Sequence, residues 1–473
     1  MLNFRSLSLV VLVFSLLFND VAFAQKTGGY RAIYSGVHWF DNRGKVVSAH
    51  GANLVKDGSR FYLFGEAHSD TSNAFAGFNC YSSADLCNWK FESVALQVQP
   101  VGRLGPNRIG ERPKVLKCPA TSEYVMLMHS DTLTYKDQCV AYATAKNIAG
   151  PYTFQGPLLF NGQSIRKWDM GTFQDEDGSG YLITHGGLLY KLSNDFKSVI
   201  ELVVENKWRG AEAPAIFKNN GVYFWLASDL TSWEKNDNFY YTATSLKGPW
   251  MARGNFAPKG TLTYNSQATF VLPVAGSLDT TFLFMGDRWS YPHQASSATY
   301  VWLPLQASGT RLSIPTYRQV WTINPATGKN SVPNLIGRVI RHQDKKQIAY
   351  RGRWQPVAND TVTVSQSDEK GATFMVRFNG TQVGWYGSAG LNGGYASVKL
   401  INSRGQAVLS AMVDFYSKYP ETALRFISPM MPKAPYTLTV TVLGEHGNWT
   451  DKSKKVYGST GNTVSVSKIL VKQ

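Results

Sequence analysis

Five polar residues stand at the starts of hydrophobic, turn-bounded segments, recurring about once every fifty residues, and this spacing constrains the chain most. They are His50 in Ala49-His50-Gly51, Glu111 in Gly110-Glu111-Arg112-Pro113, Asp169 in Trp168-Asp169-Met170, Glu212 in Ala211-Glu212-Ala213-Pro214, and Gln267 in Ser266-Gln267-Ala268. Each is followed by an aromatic-rich stretch that reads as a second strand, at Phe61-Tyr62, Tyr124, Tyr181, Tyr223 and Phe282. A unit of this length holds four antiparallel strands, and radial repetition aims one polar group per unit at a common axis. The expected fold class is all-β, a five-bladed β-propeller with a site in its central pit.

A second repeat agrees with the first. Tyr142-Ala143-Thr144-Ala145 runs on to Gly150-Pro151-Tyr152, and Tyr241-Thr242-Ala243-Thr244 to Gly248-Pro249-Trp250. Each reads as a third strand, a short loop and an aromatic that opens the outer strand. Turn signals at Asp57-Gly58, Asp177-Gly178 and Asn219-Asn220-Gly221 precede second strands. The repeat ends near residue 335, and a basic stretch, residues 338–346, leads into a new alternating pattern. Segments such as Phe374-Met375-Val376-Arg377-Phe378 and Tyr436-Thr437-Leu438-Thr439-Val440 predict a β-sandwich of jelly-roll type over residues 345–473. No substantial helix is expected.

Residues 1–24 have the form of a signal peptide: Arg5, an apolar run over residues 6–18, and Ala22-Phe23-Ala24 before the cleavage point. The expected mature chain starts at residue 25, with the propeller over residues 25–335. The apolar run is too short for a comfortable membrane span and no second one follows, so stable membrane insertion is not expected. An exported protein, periplasmic or extracellular and monomeric, is the reading. The net charge of +16 raises the question of nucleic acid, but the basic residues are scattered and no recognisable binding module accompanies them. Cys80, Cys87, Cys118 and Cys139 fit neither a zinc site nor a redox pair. In an exported chain the simplest disulfides are Cys80–Cys87 and Cys118–Cys139. The histidines are dispersed without HExxH or HxH, so neither metal nor cofactor is expected.

Three of the five recurrent groups are carboxyl residues, which points to acid–base work on a neutral, polar substrate. Aromatics at 13% and charged residues at only 17% suit sugar-stacking surfaces. Glycoside hydrolysis needs a protonated carboxyl to assist the leaving oxygen and normally a carboxylate to activate water. Glu212, beside Ala211, Ala213 and Pro214, is the expected acid, because an apolar setting raises a carboxyl pKa. Asp169 is the partner whose charge keeps Glu212 protonated and oriented. Glu111 reads as an acceptor for a substrate hydroxyl, with Arg112 as its counter-ion. Trp233, Asp287 and Trp289 are further substrate-binding candidates. His129 and His185 end second strands, and either a core role or a hydrogen bond to substrate remains open for them.

Gly110-Glu111-Arg112-Pro113-Lys114-Val115, Asp169 ahead of Phe173-Gln174-Asp175-Glu176-Asp177-Gly178, Glu212-Ala213-Pro214 and Asn265-Ser266-Gln267-Ala268 together resemble glycoside hydrolase family 43. The likeness covers about residues 30–330 and is greatest to the exo-β-1,3-galactanase branch. It implies Glu212 as general acid, Asp169 as the residue that tunes and orients it, and Glu111 and Glu66 as sugar-binding residues. It also implies an inverting hydrolase that releases galactose from a β-1,3-galactan, the arabinogalactan backbone. Most of that family carries a base aspartate on the first strand; the matching position here falls near Gly51. The exo-galactanase branch is similar in lacking it, with a glutamine in the last blade as its suggested substitute, which matches Gln267. An α-L-arabinofuranosidase or β-galactofuranosidase of the same family, and a non-catalytic glycan-binding propeller, are the alternatives. The C-terminal segment resembles the jelly-roll modules attached to such hydrolases, through Val383-Gly384-Trp385-Tyr386-Gly387-Ser388.

Overall fold

Short loops join successive hydrophobic segments, so each pairs with its neighbour in sequence and antiparallel sheets result. The computed structural model describes residues 28–358 and 362–473; the expected signal peptide lies outside them. The first sheet comprises His50–Asp57, Arg60–Glu66, Phe78–Ser83 and Lys90–Leu96, the second Arg108–Lys117, Tyr124–Thr132, Cys139–Ala145 and Thr153–Pro157. The third holds Met170–Gln174, Gly180–Thr184, Leu188–Leu192 and Val199–Glu205, extended by the short strands Leu159–Phe160 and Gln163–Ser164. Glu212–Asn219, Val222–Ser228, Phe239–Ala243 and Met251–Asn255 form the fourth; Gln267–Ala275, Thr280–Arg288, Thr299–Ser308 and Arg311–Ser313 form the fifth. All five aromatic landmarks fall in second strands. The protein is all-β, with two four-residue helices, Leu262–Asn265 and Gln294–Ser297, among the described residues.

The first strands touch one another in the order of the sheets, and the fifth touches the first. Their starts therefore gather around one axis. At those starts the ladder to the second strand skips, between His50 and Asn53, Glu111 and Lys114, Glu212 and Ala215, and Ala268 and Phe270. A bulge of this kind inserts a residue and re-aims its neighbours. Gly51, Arg112 and Ala213 take the left-handed conformation there, with φ of 60°, 51° and 51°. For Arg112 and Ala213 this costs on the order of 1–2 kcal/mol each, which the surrounding contacts must hold in place.

Two contacts fix the ring from within. Lys114 is fully buried and donates to Gly51 O at 2.6 Å, Ala52 O at 2.7 Å and Thr269 Oγ1 at 3.1 Å, tying the second sheet to the first and fifth. Burial and the nearby Arg112 charge pull its pKa down to about 7. Between the third and fourth sheets the chains approach so closely that a Cβ on Gly171 would lie 2.0 Å from Pro214 O.

The C-terminal segment forms separate sheets. One orders Arg338–Arg341, Lys468–Lys472, Gln382–Ala389 and Glu421–Ile427; another orders Ile348–Arg351, Thr373–Gly380, Ala434–Val442, Tyr395–Asn402 and Ala407–Asp414. Trp385, Phe374, Val398, Leu438 and Ile469 share the core of this unit. Tyr30, Tyr34, Val37 and Phe40 pack into the same core, so the N-terminal stretch belongs partly to it rather than to the ring of sheets alone. The two units are joined by buried polar contacts. Arg288 pairs with Glu421 at 3.3 Å, Ser290 Oγ donates to Asp414 at 2.7 Å, and Tyr416 OH donates to Glu234 at 2.6 Å.

The cysteine expectation is corrected. All four are free. Cys80 and Cys139 pack in one core cluster and Cys118 in another, while Cys87 borders the clusters at the junction of the two units. They fill apolar space rather than facing one another in the expected pairs. Among the described residues no helix is long and apolar enough to cross a membrane.

Gly171→Ala should lower stability by about 1–3 kcal/mol in denaturant unfolding, because the added methyl meets a backbone carbonyl that cannot retreat without shifting a strand.

Candidate active site

Where the first strands converge, a cavity of about 1010 Å³ opens, with Glu66, Glu111, Arg112, Asp169, Glu212 and Gln267 among its lining residues. Arg112 organises it. The bulge at Glu111 and the positive φ at Arg112 turn this side chain away from its sequence neighbour and towards the next sheet. Its Nε pairs with Asp169 Oδ1, its Nη2 donates to Gln267 Oε1 at 2.9 Å, and its backbone N–H donates to Glu66 Oε1 at 2.8 Å. Nη1 is buried with no hydrogen-bond partner among the described residues. The sequence reading of Arg112 as counter-ion to Glu111 is thus corrected.

Asp169 accepts a second hydrogen bond from the Ala213 backbone N–H, one residue past Glu212. That contact locks the third sheet to the fourth and brings the Asp169 charge beside Glu212. Burial is the largest influence on Glu212 and the Asp169 charge the next; Arg112 and a hydrogen bond from Trp168 offset them only in part. The Glu212 pKa is pushed up to about 8. A carboxyl protonated at neutral pH, in a cavity and next to a fixed carboxylate, is the arrangement a general acid requires.

Glu111 has its own positive partner. His129 Nδ1 lies 2.9 Å from Glu111 Oε2, and Tyr135 OH donates to Glu111 Oε1 at 2.6 Å. Burial opposes charge on His129, but Asp131 and Glu111 on either side outweigh it and raise the pKa to about 9. Burial likewise opposes charge on Glu111, and His129 and Tyr135 hold its pKa below the ordinary value. The pair is ionised at neutral pH, and its carboxylate edges the cavity.

Gln267 is fixed by donors that have no acceptor capacity. Arg112 and Trp289 Nε1, each at 2.9 Å, both point at one atom, which must be the amide oxygen. The amide nitrogen then donates to Ser228 Oγ at 2.9 Å and keeps one N–H uncommitted. A Cβ at Gly51 would lie 2.1 Å from Glu66 Oε1, on backbone with φ of 60° that side chains rarely adopt. Glu66, which has His68 Nε2 3.1 Å from its second oxygen, occupies that corner.

Of the remaining expected residues, Trp233 and Trp289 line the cavity. Asp287 does not, and this expectation is corrected: although its strand pairs it with Gln267, its oxygens accept from Gly51 N–H at 3.1 Å and face His50 Nδ1 at 3.1 Å. His50, alone among the five recurrent groups, stays beneath the floor, stacked on Tyr300 at 4.4 Å. His185 also lies outside the lining, stacked on Trp168 at 3.6 Å, and burial lowers its pKa to about 3. Sequence reasoning missed Trp168, Tyr135, Tyr291 and a stretch of the C-terminal unit, residues 448–453, all of which line the cavity. Trp168 stands next to Asp169 and was the one findable from its position. Among the described residues no cluster of His, Cys, Asp and Glu is grouped to hold a metal ion.

Residues 47–267 match the family Glycosyl hydrolases family 43. A candidate exo-β-1,3-galactanase from Bifidobacterium bifidum s17 is 38% identical, with a TM-score of 0.56, over 59% of this chain and 95% of that one. The chain belongs to glycoside hydrolase family 43. An exo-β-1,3-galactanase from Phanerochaete chrysosporium, in a variant with β-1,3-galactotriose, is similar over 93% of this chain and 99% of that one, at 28% identity and a TM-score of 0.70. The same fungal enzyme with galactose aligns over 93% and 100%, with a TM-score of 0.68. None of the curated protein sequences compared matches the chain. As a family 43 member with this site, the protein is a glycoside hydrolase.

Arg112→Met should destabilise the protein by about 3–5 kcal/mol in guanidinium unfolding, since it leaves Asp169 buried without its positive partner. Arg112→Lys restores the charge without the planar fork and should recover only part of that loss.

Proposed function

We propose that the protein is an exo-acting, inverting hydrolase that releases galactose from β-1,3-galactan, the arabinogalactan backbone. The observation that carries this reading is Glu212, a carboxyl at the edge of the cavity whose pKa burial and the Asp169 charge push up to about 8, beside a carboxylate that a buried arginine fixes. The galactanase neighbours with galactose and galactotriose support the substrate class. Glu212 protonates the glycosidic oxygen as its bond to the anomeric carbon breaks, and water attacks the opposite face. Asp169 orients Glu212, while Glu111 and Glu66 hold sugar hydroxyls. Because both Gln267 oxygen lone pairs are occupied by donors, its free N–H positions the attacking water rather than removing its proton, and the proton that this water loses as its oxygen bonds to the anomeric carbon passes to solvent water in the cavity. Glu66 brings a carboxylate to the corner where most of the family has a first-strand aspartate. The same reading takes residues 25–335 as a five-bladed β-propeller, on the support of five sheets with cyclically touching first strands. It takes residues 345–473 as a β-sandwich and residues 1–24 as an export signal for a secreted, monomeric enzyme.

Incubation with linear β-1,3-galactooligosaccharides, followed by chromatography and anomeric NMR, should show galactose released one unit at a time, first as the α-anomer. No release, with bound oligosaccharide, would make the protein a glycan-binding propeller instead. Glu212→Gln should lower kcat by about 10²–10⁴-fold.

Glu212 must be protonated to act, so kcat should fall as pH rises through about 8. Asp169→Asn removes a charge that raises the Glu212 pKa, and the basic limb of the residual pH–rate profile should move to lower pH.

A further inference from the structure

The cavity is not walled by the ring of sheets alone. Asn448–Thr450 and Val456–Gly458 form a two-stranded hairpin of the C-terminal unit, and its first strand with the start of its turn, residues 448–453, lines one side of the cavity. The hairpin reaches the ring at two places. Trp449 Nε1 donates to Ser232 Oγ at 3.2 Å, beside the fourth sheet. Lys452 Nζ lies 5.0 Å from the ring centre of Tyr135, whose hydroxyl holds Glu111, beside the second. The turn is stiffened internally, because Asp451 Oδ1 accepts from the backbone N–H groups of Ser453 and Lys455 and from Ser453 Oγ. The buried contacts between the units, Arg288 with Glu421 and Tyr416 with Glu234 among them, hold the hairpin's parent unit against the ring.

Trp449 also ends a line of aromatic rings that starts at the chemistry. Trp289 bonds to Gln267, Trp233 meets Trp289 edge-on at 5.3 Å, Tyr291 lies parallel to Trp233 at 5.8 Å, and Trp449 meets Tyr291 edge-on at 6.0 Å. Rings of this kind present apolar faces with a polar edge, which suits the alternating faces of pyranose sugars. From the floor to the C-terminal unit, all four line the same cavity.

We infer that Trp449, supplied by the C-terminal unit, forms a distal subsite of the active-site cavity that binds a sugar of the glycan beyond the one released. The C-terminal unit is therefore part of the catalytic apparatus and sets a preference for longer chains. This rests on the hydrolase acting on a galactan. The test compares kcat/KM for β-1,3-galactohexaose and β-1,3-galactobiose in wild type, Trp449→Ala and Trp449→Phe, with melting temperatures for all three.

Trp449→Ala should reduce the hexaose-to-biose ratio of kcat/KM by about tenfold. Trp449→Phe, which keeps a stacking face but loses the bond to Ser232, should retain most of the preference. An unmoved ratio in Trp449→Ala, or an equal fall on both substrates, would overturn the distal subsite while leaving galactose release intact. If wild type cleaves neither substrate, it is the galactanase reading that fails, and calorimetric titration with both oligosaccharides decides the subsite. Tighter binding of the hexaose that Trp449→Ala removes would then uphold it, and length-independent or absent binding would overturn it.

Discussion

A single buried guanidinium meets a carboxylate, an amide and, through its backbone, a second carboxylate, and the site is built on those contacts. Arg112 comes from the second sheet, Asp169 from the start of the third, Gln267 from the fifth and Glu66 from the first. Each partner alone would be a costly buried polar group; joined, they satisfy one another and leave the Glu212 carboxyl as the group whose charge the cavity resists. The consequence is a division of labour between carboxyl groups. Asp169 is held by a positive partner and a backbone N–H, Glu111 is held by His129 and Tyr135, and Glu212 has burial and a neighbouring negative charge working against ionisation.

The backbone makes this meeting possible. Bulges at the starts of first strands rotate side chains that a regular ladder would send to alternate faces. Lys114, two residues past Arg112, then closes the ring below, reaching carbonyls of the first sheet and a hydroxyl of the fifth. A Cβ-free position at Gly171 lets the third and fourth sheets approach closely enough for Asp169 to reach the Ala213 N–H. Chemistry and ring closure thus share the same few residues.

The repeat was legible because its polar starts and aromatic second strands are local features: all five aromatics fall in second strands, four of the polar residues fall within first strands, and Asp169 stands one residue before its own. Glu212 was legible as the residue with the raised pKa because its immediate neighbours are apolar. Arg112 was not, since adjacency places it beside Glu111, whereas a left-handed backbone at Arg112 sends it across a sheet boundary to Asp169. Asp287 was misread for a related reason: strand pairing sets it opposite Gln267, but the glycine at 51 offers a bare N–H for it to accept. The hairpin at residues 448–458 carries no local sign that it returns to a cavity formed some two hundred residues earlier. The cysteines carry no sign of partner either; core packing decides their surroundings.

The claim on which the account turns is that Glu212 stays protonated at neutral pH. A ¹³C NMR titration of the carboxyl-labelled glutamates, with Glu212 assigned by its loss in Glu212→Gln, measures this directly. The account predicts a midpoint near the value of about 8 that burial and Asp169 impose. A midpoint at the ordinary glutamate value of about 4.3 would contradict it and remove the general acid from the site.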